Sequence, residues 1–312
     1  MAIRGPGLHG RRARATVAVS AVAIGMLLMS PGGPSAASAP TRSPGTLYYE
    51  SETSTGILVI DRVSLSAPRR SREVVEVGNV GVFGIAIGGR HVYWSFEAGP
   101  RDQGKIMRAS LNGRDVRPLV GDLAAPDSVI AVNGFVYWSD RNAIGHVALD
   151  GSHLRRRFLV LPPETGGGVA DGLASDGSHL YFSRCTEGTI GRADLSGSGV
   201  ITAFISTGQN SCPQGLAVAG RHLYWTELGS GTIGRADLDG RNADDGWLNV
   251  RSRQGPFQVV ADRAHVYWTW GGVDGSPAYT ARADADGSHL DLRFLTDSLY
   301  PMALSSGATG AA

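Results

Sequence analysis

A pair of adjacent aromatic residues recurs along the chain at nearly constant spacing: Tyr48-Tyr49, Tyr93-Trp94, Tyr137-Trp138, Tyr181-Phe182, Tyr224-Trp225 and Tyr267-Trp268, separated by 45, 44, 44, 43 and 43 residues. A period of this length holds four short strands and their turns, the size of one β-propeller blade. Six copies in phase predict an all-β chain folded as a six-bladed propeller of four-stranded blades. Each copy reads in the same order. Small apolar residues come first (84–87, 129–132, 172–174, 215–218, 258–261) and suit strands crowded around a central axis. The aromatic strand follows, its rings filling the wider space between blades. A third strand then ends in Asn112-Gly113, Asp150-Gly151, Ser196-Gly197, Asp239-Gly240 or Asp286-Gly287, turn pairs that return a fourth strand directly.

The first copy has no small-apolar strand of its own, because TLYYES at 46–51 follows a Ser/Pro-rich stretch. The segment PMALS at 301–305 matches the missing strand and has no aromatic strand after it. The C-terminal strand is therefore expected to pair into the first blade and close the ring, leaving no open sheet edge between first and last blades.

Residues 1–39 read differently. Arg4, Arg11, Arg12 and Arg14 precede an apolar run over 16–29, and Ala37-Ser38-Ala39 offers a small-residue cleavage site. This is the form of a secretory signal peptide, with an apolar run short for a membrane span. The expected organisation is a signal peptide at 1–39, a linker at 40–45, the propeller at 46–307 and a tail at 308–312. Without the first 39 residues, the 29 basic side chains fall by four Arg to 25, against 28 acidic ones, a net of −3. That balance excludes a counterion-releasing nucleic-acid surface. No membrane span is expected in the mature chain, which is read as secreted or held in the cell envelope. Cys185 and Cys212 are the two cysteines, and an even pair in an exported chain predicts a disulfide.

The aromatic strands, together with GTIGRADLSG at 188–197 and GTIGRADLDG at 231–240, resemble the class B repeats of the low-density lipoprotein receptor family, the six-bladed Tyr-Trp-Thr-Asp propellers. The resemblance spans about residues 46–307. It implies that the fourth motif residue, usually Asp, is a hydrogen-bonding position between blades. Here that position holds Ser51, Phe96, Asp140, Arg184, Glu227 and Trp270, so blades must be joined partly by other means.

Strands alternate in direction within a blade, so the end of the second strand and the start of the first share one face of the disc. Two rings are thus expected at one mouth: the six residues just named, and Phe83, Ser128, Asp171, Gln214, Phe257 and Tyr300. Blades six, one and two supply Phe257, Trp270, Tyr300, Phe83 and Phe96. Blades three to five supply Ser128, Asp140, Asp171, Arg184, Gln214 and Glu227. Apolar walls with a few convergent polar groups are the usual form of a ligand site. The alternative is a plug of aromatics, with Arg184 neutralised by Asp171 or Glu227. The LPPETGGGV segment at 161–169 reads as a small lid or a flexible connection.

His91, His179, His222 and His265 precede the aromatic pairs at the opposite face, and His146 takes a third-strand position held by Arg elsewhere. The mouth is therefore expected to lack a His base or metal ligand. The Asp-x-Asp-Gly segments fall on hairpin turns and lack further calcium ligands. No cofactor is expected. The function expected is noncatalytic binding of a peptide segment or saccharide, the partner being an unidentified protein, peptide or cell-wall saccharide. The alternative is a carboxylate-based glycoside hydrolase or a propeller-type lyase.

Overall fold

The computed structural model describes residues 45–78, 81–96, 104–164, 170–208, 211–250, 255–271, 278–296, 298 and 302–305. The expected signal peptide, all of the linker but Gly45, residues 165–169 of the expected lid, and the 308–312 tail lie outside them.

The described residues form 24 strands and no helix, in six antiparallel sheets of four. Blade 1 combines β1 (Thr46–Glu52), β2 (Leu58–Ser64) and β3 (Arg72–Gly78) with β24 (Met302–Ser305), in the order β24-β1-β2-β3. Blade 2 is β4 (Val82–Gly88), β5 (His91–Phe96), β6 (Gly104–Ser110) and β7 (Arg117–Leu123). Blade 3 is β8 (Pro126–Val132), β9 (Phe135–Asp140), β10 (Ala143–Ala148) and β11 (Arg155–Val160). Blade 4 is β12 (Leu173–Ser175), β13 (His179–Arg184), β14 (Thr189–Asp194) and β15 (Ile201–Ser206). Blade 5 is β16 (Pro213–Ala219), β17 (His222–Glu227), β18 (Thr232–Asp237) and β19 (Asp244–Asn249). Blade 6 is β20 (Pro256–Ala261), β21 (His265–Gly271), β22 (Ala278–Asp284) and β23 (Asp291–Thr296). The inner strands touch in the cycle β24, β4, β8, β12, β16, β20 and back to β24, so the ring is closed by the C-terminal strand.

The aromatic pair works because consecutive side chains on a strand point to opposite faces. The first aromatic of each blade meets the second aromatic of the next. Tyr48 packs with Trp94, Tyr93 with Trp138, Tyr137 with Phe182, Tyr181 with Trp225, Tyr224 with Trp268, and Tyr267 with Tyr49 across the closure. The core is thus six apolar clusters, one at each blade interface.

The glycine of the recurring TIGRAD wording has a packing cause. Gly145, Gly191 and Gly234 lie opposite Trp138, Phe182 and Trp225 on the neighbouring strand. A Cβ there would sit 2.3, 2.1 and 2.1 Å from ring atoms. Gly234→Val is therefore expected to destabilise the fold by about 3 kcal/mol through overpacking, lowering the thermal midpoint by about 6–12 °C. Chemical denaturation and calorimetry check this.

Blades are joined mainly through the third motif position. Ser183 Oγ accepts from Gly172 N–H at 2.7 Å and donates to Gln214 O of the next blade at 2.8 Å. Thr226 Oγ1 accepts from Gly215 N–H at 2.8 Å and donates to Phe257 O at 2.7 Å. Ser95 donates likewise to Asp127 O. In blade 1 this position is Glu50, whose Oε1 accepts from Val82 N–H of blade 2 at 2.9 Å. The fourth position acts elsewhere: Asp140 accepts from Ala124 and Ala125 N–H at 3.2 and 2.8 Å, and Glu227 accepts from Cys212 N–H at 3.0 Å. These carboxylates pin the segment that leads into their own blade.

Candidate functional site

One end of the ring is shaped by a repeated irregularity. In β8, β16 and β20, three residues advance where the paired strand advances two: Pro126 and Val129 oppose Asp140 and Trp138, Pro213 and Leu216 oppose Glu227 and Trp225, and Pro256 and Val259 oppose Trp270 and Trp268. In β4, Val82 and Gly84 oppose Phe96 and Ser95, again with one extra residue. A bulge bends its strand and re-aims the side chains at it. Here the bulges hold Phe83, Asp127, Gln214 and Phe257, with Asp171 in the same place ahead of the short β12.

In blades 2, 3, 5 and 6 this register pairs the fourth motif residue with the start of the inner strand, and it changes one ring position. Residues two before Ile85, Val129, Leu173, Leu216 and Val259 are Phe83, Asp127, Asp171, Gln214 and Phe257. Asp127, rather than Ser128, takes the ring position in blade 3. Ser128 is one of the bulge residues facing the next blade, 7% exposed, and its Oγ accepts from Leu173 N–H at 3.0 Å. In three other blades the equivalent is Gly84, Gly172 or Gly215, where a Cβ would lie 2.0–2.7 Å from the next inner strand's backbone. The aromatic spacing carried this signal, since Tyr93 to Tyr137 is 44 residues, as is Phe83 to Asp127.

Below the mouth lies a cavity of ≈ 180 Å³ between the inner strands. All six blades line it, through Ile85, Val129, Leu173, Leu216, Val259 and Met302 among others. Among the described residues no aromatic ring lines it. With about 30 Å³ per water, the space suits a single side chain or small ring, well under the ~300–1,000 Å³ of a cofactor pocket.

The aromatic sector splits into two kinds of residue. Phe83 is 44% exposed and Phe257 half-buried. Phe96 packs on the core between blades 1 and 2, with Lys105 Nζ 5.8 Å from its ring centroid. Trp270 donates its indole N–H to Leu292 O at 3.1 Å, lies 5.5 Å from the Tyr279 ring and packs against the core between blades 5 and 6. Phe83 is thus the most exposed ring at the mouth, and Phe257 keeps part of its surface open. Tyr300 lies outside the described residues.

In the polar sector, Arg184 does not neutralise Asp171 or Glu227. It is buried, its Nε lies 3.8 Å from Glu164 Oε1, and its Nη2 donates to Pro162 O at 3.3 Å. Glu164 also accepts from Thr186 N–H and Oγ1–H at 3.1 and 2.7 Å, which ties the start of the 161–169 segment to the β13–β14 turn. Among the described residues Asp127 and Asp171 have no such partners. Burial, with the charge of Asp171, pushes the Asp127 carboxyl up to about 7. Burial, with the charge of Glu164, does the same for Asp171. Glu227 is 1% exposed, and burial raises it to about 7 against the opposing hydrogen bonds from Cys212 N–H and Ser211 Oγ. Cys185 and Cys212 form a disulfide with Cα atoms 4.0 Å apart, linking the β13–β14 turn to the segment entering blade 5. Glu227, Asp140 and Ser128 thus hold the rim together, while Asp127, Asp171 and Gln214 stand on it.

Sequence reasoning passed over Asp127, Glu164 and Glu50. Asp127 was legible from the spacing. Glu164 lies in an irregular segment with no counterpart in other blades, and Glu50 stands where the motif has a hydroxyl, so neither had a pattern to reveal it.

The histidines lie at the other end of the strands, as expected. His179 Nδ1 is 2.9 Å from Asp176, His222 Nε2 3.4 Å from Asp237 and His265 Nε2 3.7 Å from Asp284. His146 stacks on Phe158 with centroids 4.3 Å apart. The Asp-x-Asp-Gly segments form hairpin turns, with Asp286 accepting from Ser288 N–H at 2.9 Å. Among the described residues no group of three or more His, Cys, Asp or Glu side chains is arranged to hold a metal ion.

No protein-family model matches the chain, and no curated protein does. Solved structures do. A chain of a nidogen/laminin complex aligns over 84% of this chain and 99% of its own, at 18% identity and a TM-score of 0.63. TolB from Acinetobacter baumannii aligns over 85% of this chain and 67% of its own, at 11% identity and a TM-score of 0.61. A PQQ-bound aldose sugar dehydrogenase from Streptomyces coelicolor aligns over 84% and 99%, at 15% identity and a TM-score of 0.50. At these identities the likeness is one of fold: the chain is a six-bladed β-propeller.

Proposed function

We propose that this propeller is a divergent member of the class B repeat family and an exported, noncatalytic binding module that takes a peptide segment or saccharide at the bulged mouth. The observation that carries the reading is the small central cavity beneath a rim of Phe83 and Phe257 on one side and Asp127, Asp171 and Gln214 on the other. A space of ≈ 180 Å³ admits one side chain or part of a sugar ring, while the rim aromatics stack on whatever lies across it. The disulfide fits export, since such bonds persist in oxidising compartments. The similarity to a propeller crystallised in a nidogen/laminin complex gives a precedent for protein recognition on this fold.

A second reading is favoured by one observation. Asp127 and Asp171 are neighbouring carboxyls raised to about 7 by burial, and a glycosidase pair works with one such group protonated and the other ionised. The lyase alternative has no mouth histidine among the described residues to support it. Peptide and glycan arrays probed with the whole protein, followed by mass spectrometry of each captured ligand after prolonged incubation, separate the readings. Binding is expected with every ligand recovered intact. Cleavage that disappears in Asp127→Asn/Asp171→Asn would establish the enzyme instead.

A further inference from the structure

On blade 1, away from the mouth, the sheet sorts its charges by face. Arg62 lies directly opposite Arg72, and Ser64, two residues along the same strand, lies opposite Thr46. Residues two apart on a strand, and residues directly paired across it, share a face. The adjacent pair, Asp61 opposite Glu73, takes the other face. Two guanidinium groups set opposite one another repel, and no carboxylate relieves them: among the described residues none of Arg62, Arg70 or Arg72 is in an ion pair.

The loop that follows adds a third cation. Ala67 N–H donates to Ser64 O at 3.0 Å and Arg70 N–H to Ala67 O at 3.2 Å, so successive tight turns carry Arg70 back over the strands. Thr46, Arg62, Ser64, Ala67, Arg70 and Arg72 line a cavity of ≈ 300 Å³. Its described lining therefore comes from three arginines, a threonine, a serine and an alanine.

Blade 2 repeats the pairing, with Arg108 opposite Arg117 and Leu119 in place of an outer-strand aromatic, but blades 4, 5 and 6 treat the cation differently. Arg62 occupies the strand position of Arg192, Arg235 and Arg282, each opposite the first aromatic of its blade. Those three cations are covered by a ring from the outer strand: Phe204 at 4.2 Å, Trp247 at 4.8 Å and Phe294 at 4.5 Å. In blade 1 the corresponding outer-strand residue is Val74, which gives no aromatic face. Arg62 keeps one donor on Leu111 O at 3.4 Å, and its other N–H groups remain to be used.

We propose that this cavity is a binding site for a tetrahedral oxyanion group, a phosphate or sulfate ester. Guanidinium forks match such oxygens in charge and geometry, and beside them stand the Thr46 hydroxyl and the Ser64 hydroxyl, the latter sharing a hydrogen bond with Ser66 Oγ at 3.0 Å. The site is independent of the mouth and does not rest on the function proposed for it.

The test uses the full chain, with thermal unfolding followed during titration with inorganic phosphate and, separately, inorganic sulfate, chloride being exchanged to hold ionic strength constant. A ligand that binds only the folded state raises the midpoint in proportion to its occupancy. The native protein is expected to show a saturable rise with at least one of the two anions. Comparison of the two titrations identifies the ester. Arg70→Gln/Arg72→Gln alters exposed side chains, should fold normally, and is expected to weaken the apparent affinity at least about tenfold, because two charge-assisted contacts are lost. Arg155→Gln/Arg157→Gln, an equal charge change on blade 3, is expected to leave the titration unchanged. Absence of any saturable rise in the native protein overturns the proposal. So does an equal rise in the Arg70/Arg72 variant, or an equal loss in the blade 3 control.

Discussion

Removal of residues 299–312 is expected to abolish the single cooperative unfolding transition of the propeller, or to lower its midpoint by more than about 15 °C. The excised segment contains β24, whose Met302, Ala303, Leu304 and Ser305 pair with Tyr49, Tyr48, Leu47 and Thr46. Met302 and Ala303 are buried in two different blade interfaces, the one between blades 6 and 1 and the one between blades 1 and 2. Loss of one buried Met costs about 1.5–3 kcal/mol in transfer alone. The missing strand also uncovers Tyr48 and Tyr49 and leaves the inner edge of β1 unpaired. The sum approaches the ~5–15 kcal/mol by which a whole domain is stable. An exposed edge of this kind also invites association between chains. A truncated chain that melts cooperatively at the temperature of the intact one contradicts ring closure.

Stability is expected to rise as pH falls from 8 to 6.5, the reverse of what ion-paired carboxylates produce. Glu50, Asp127, Asp171 and Glu227 are each raised to about 7, with burial as the largest cause. In the unfolded chain these groups titrate near 4. Across this window these four groups bind more protons in the folded state than in the unfolded state, outweighing the opposite pull of His91, His146 and His222, which burial lowers, so linkage makes the free energy of unfolding fall as pH rises. The stabilisation is complete only below about pH 4 and is lost as pH climbs through 7. For one such group the change between pH 8 and 6.5 is about 0.8 kcal/mol, so four give about 3 kcal/mol. Asp127 and Asp171 interact, which spreads their share over a wider range. Calorimetry at the two pH values measures the effect, and Glu50→Gln/Glu227→Gln is expected to remove about half of it.

The fold was legible because each aromatic pair does the same job six times, joining the face of one blade to the next, and a defect in one copy does not obscure the period. The missing inner strand of the first copy was itself informative, since the segment at 301–305 could only complete it. The joints between blades were less visible. A resemblance centred on a motif Asp drew attention to Asp140 and Glu227, which pin their own blade's leading segment, while the links between blades fall to the inconspicuous hydroxyls of Ser95, Ser183 and Thr226.

The mouth was legible in outline and blurred in detail for a physical reason. A bulge adds one residue exactly where the ring must be read, so a one-residue error separates Asp127 on the rim from Ser128 between blades. Arg184 illustrates a second difficulty. Its partner Glu164 sits on a segment without repeat register, so only three-dimensional proximity reveals the pair. Trp270 illustrates a third, because an aromatic at a ring position can turn its ring into the neighbouring core and leave its N–H on a backbone carbonyl.

The central claim is that ligands enter at the rim formed by Phe83, Phe257, Asp127 and Asp171. It is tested most directly by comparing the native protein with Phe83→Ala/Phe257→Ala in calorimetric titrations with a peptide or glycan selected on the arrays. The account predicts a loss of affinity of at least about tenfold, or 1.4 kcal/mol, with the thermal midpoint of the free protein little changed. Undiminished affinity in the variant would place the binding surface elsewhere on the propeller and contradict the account.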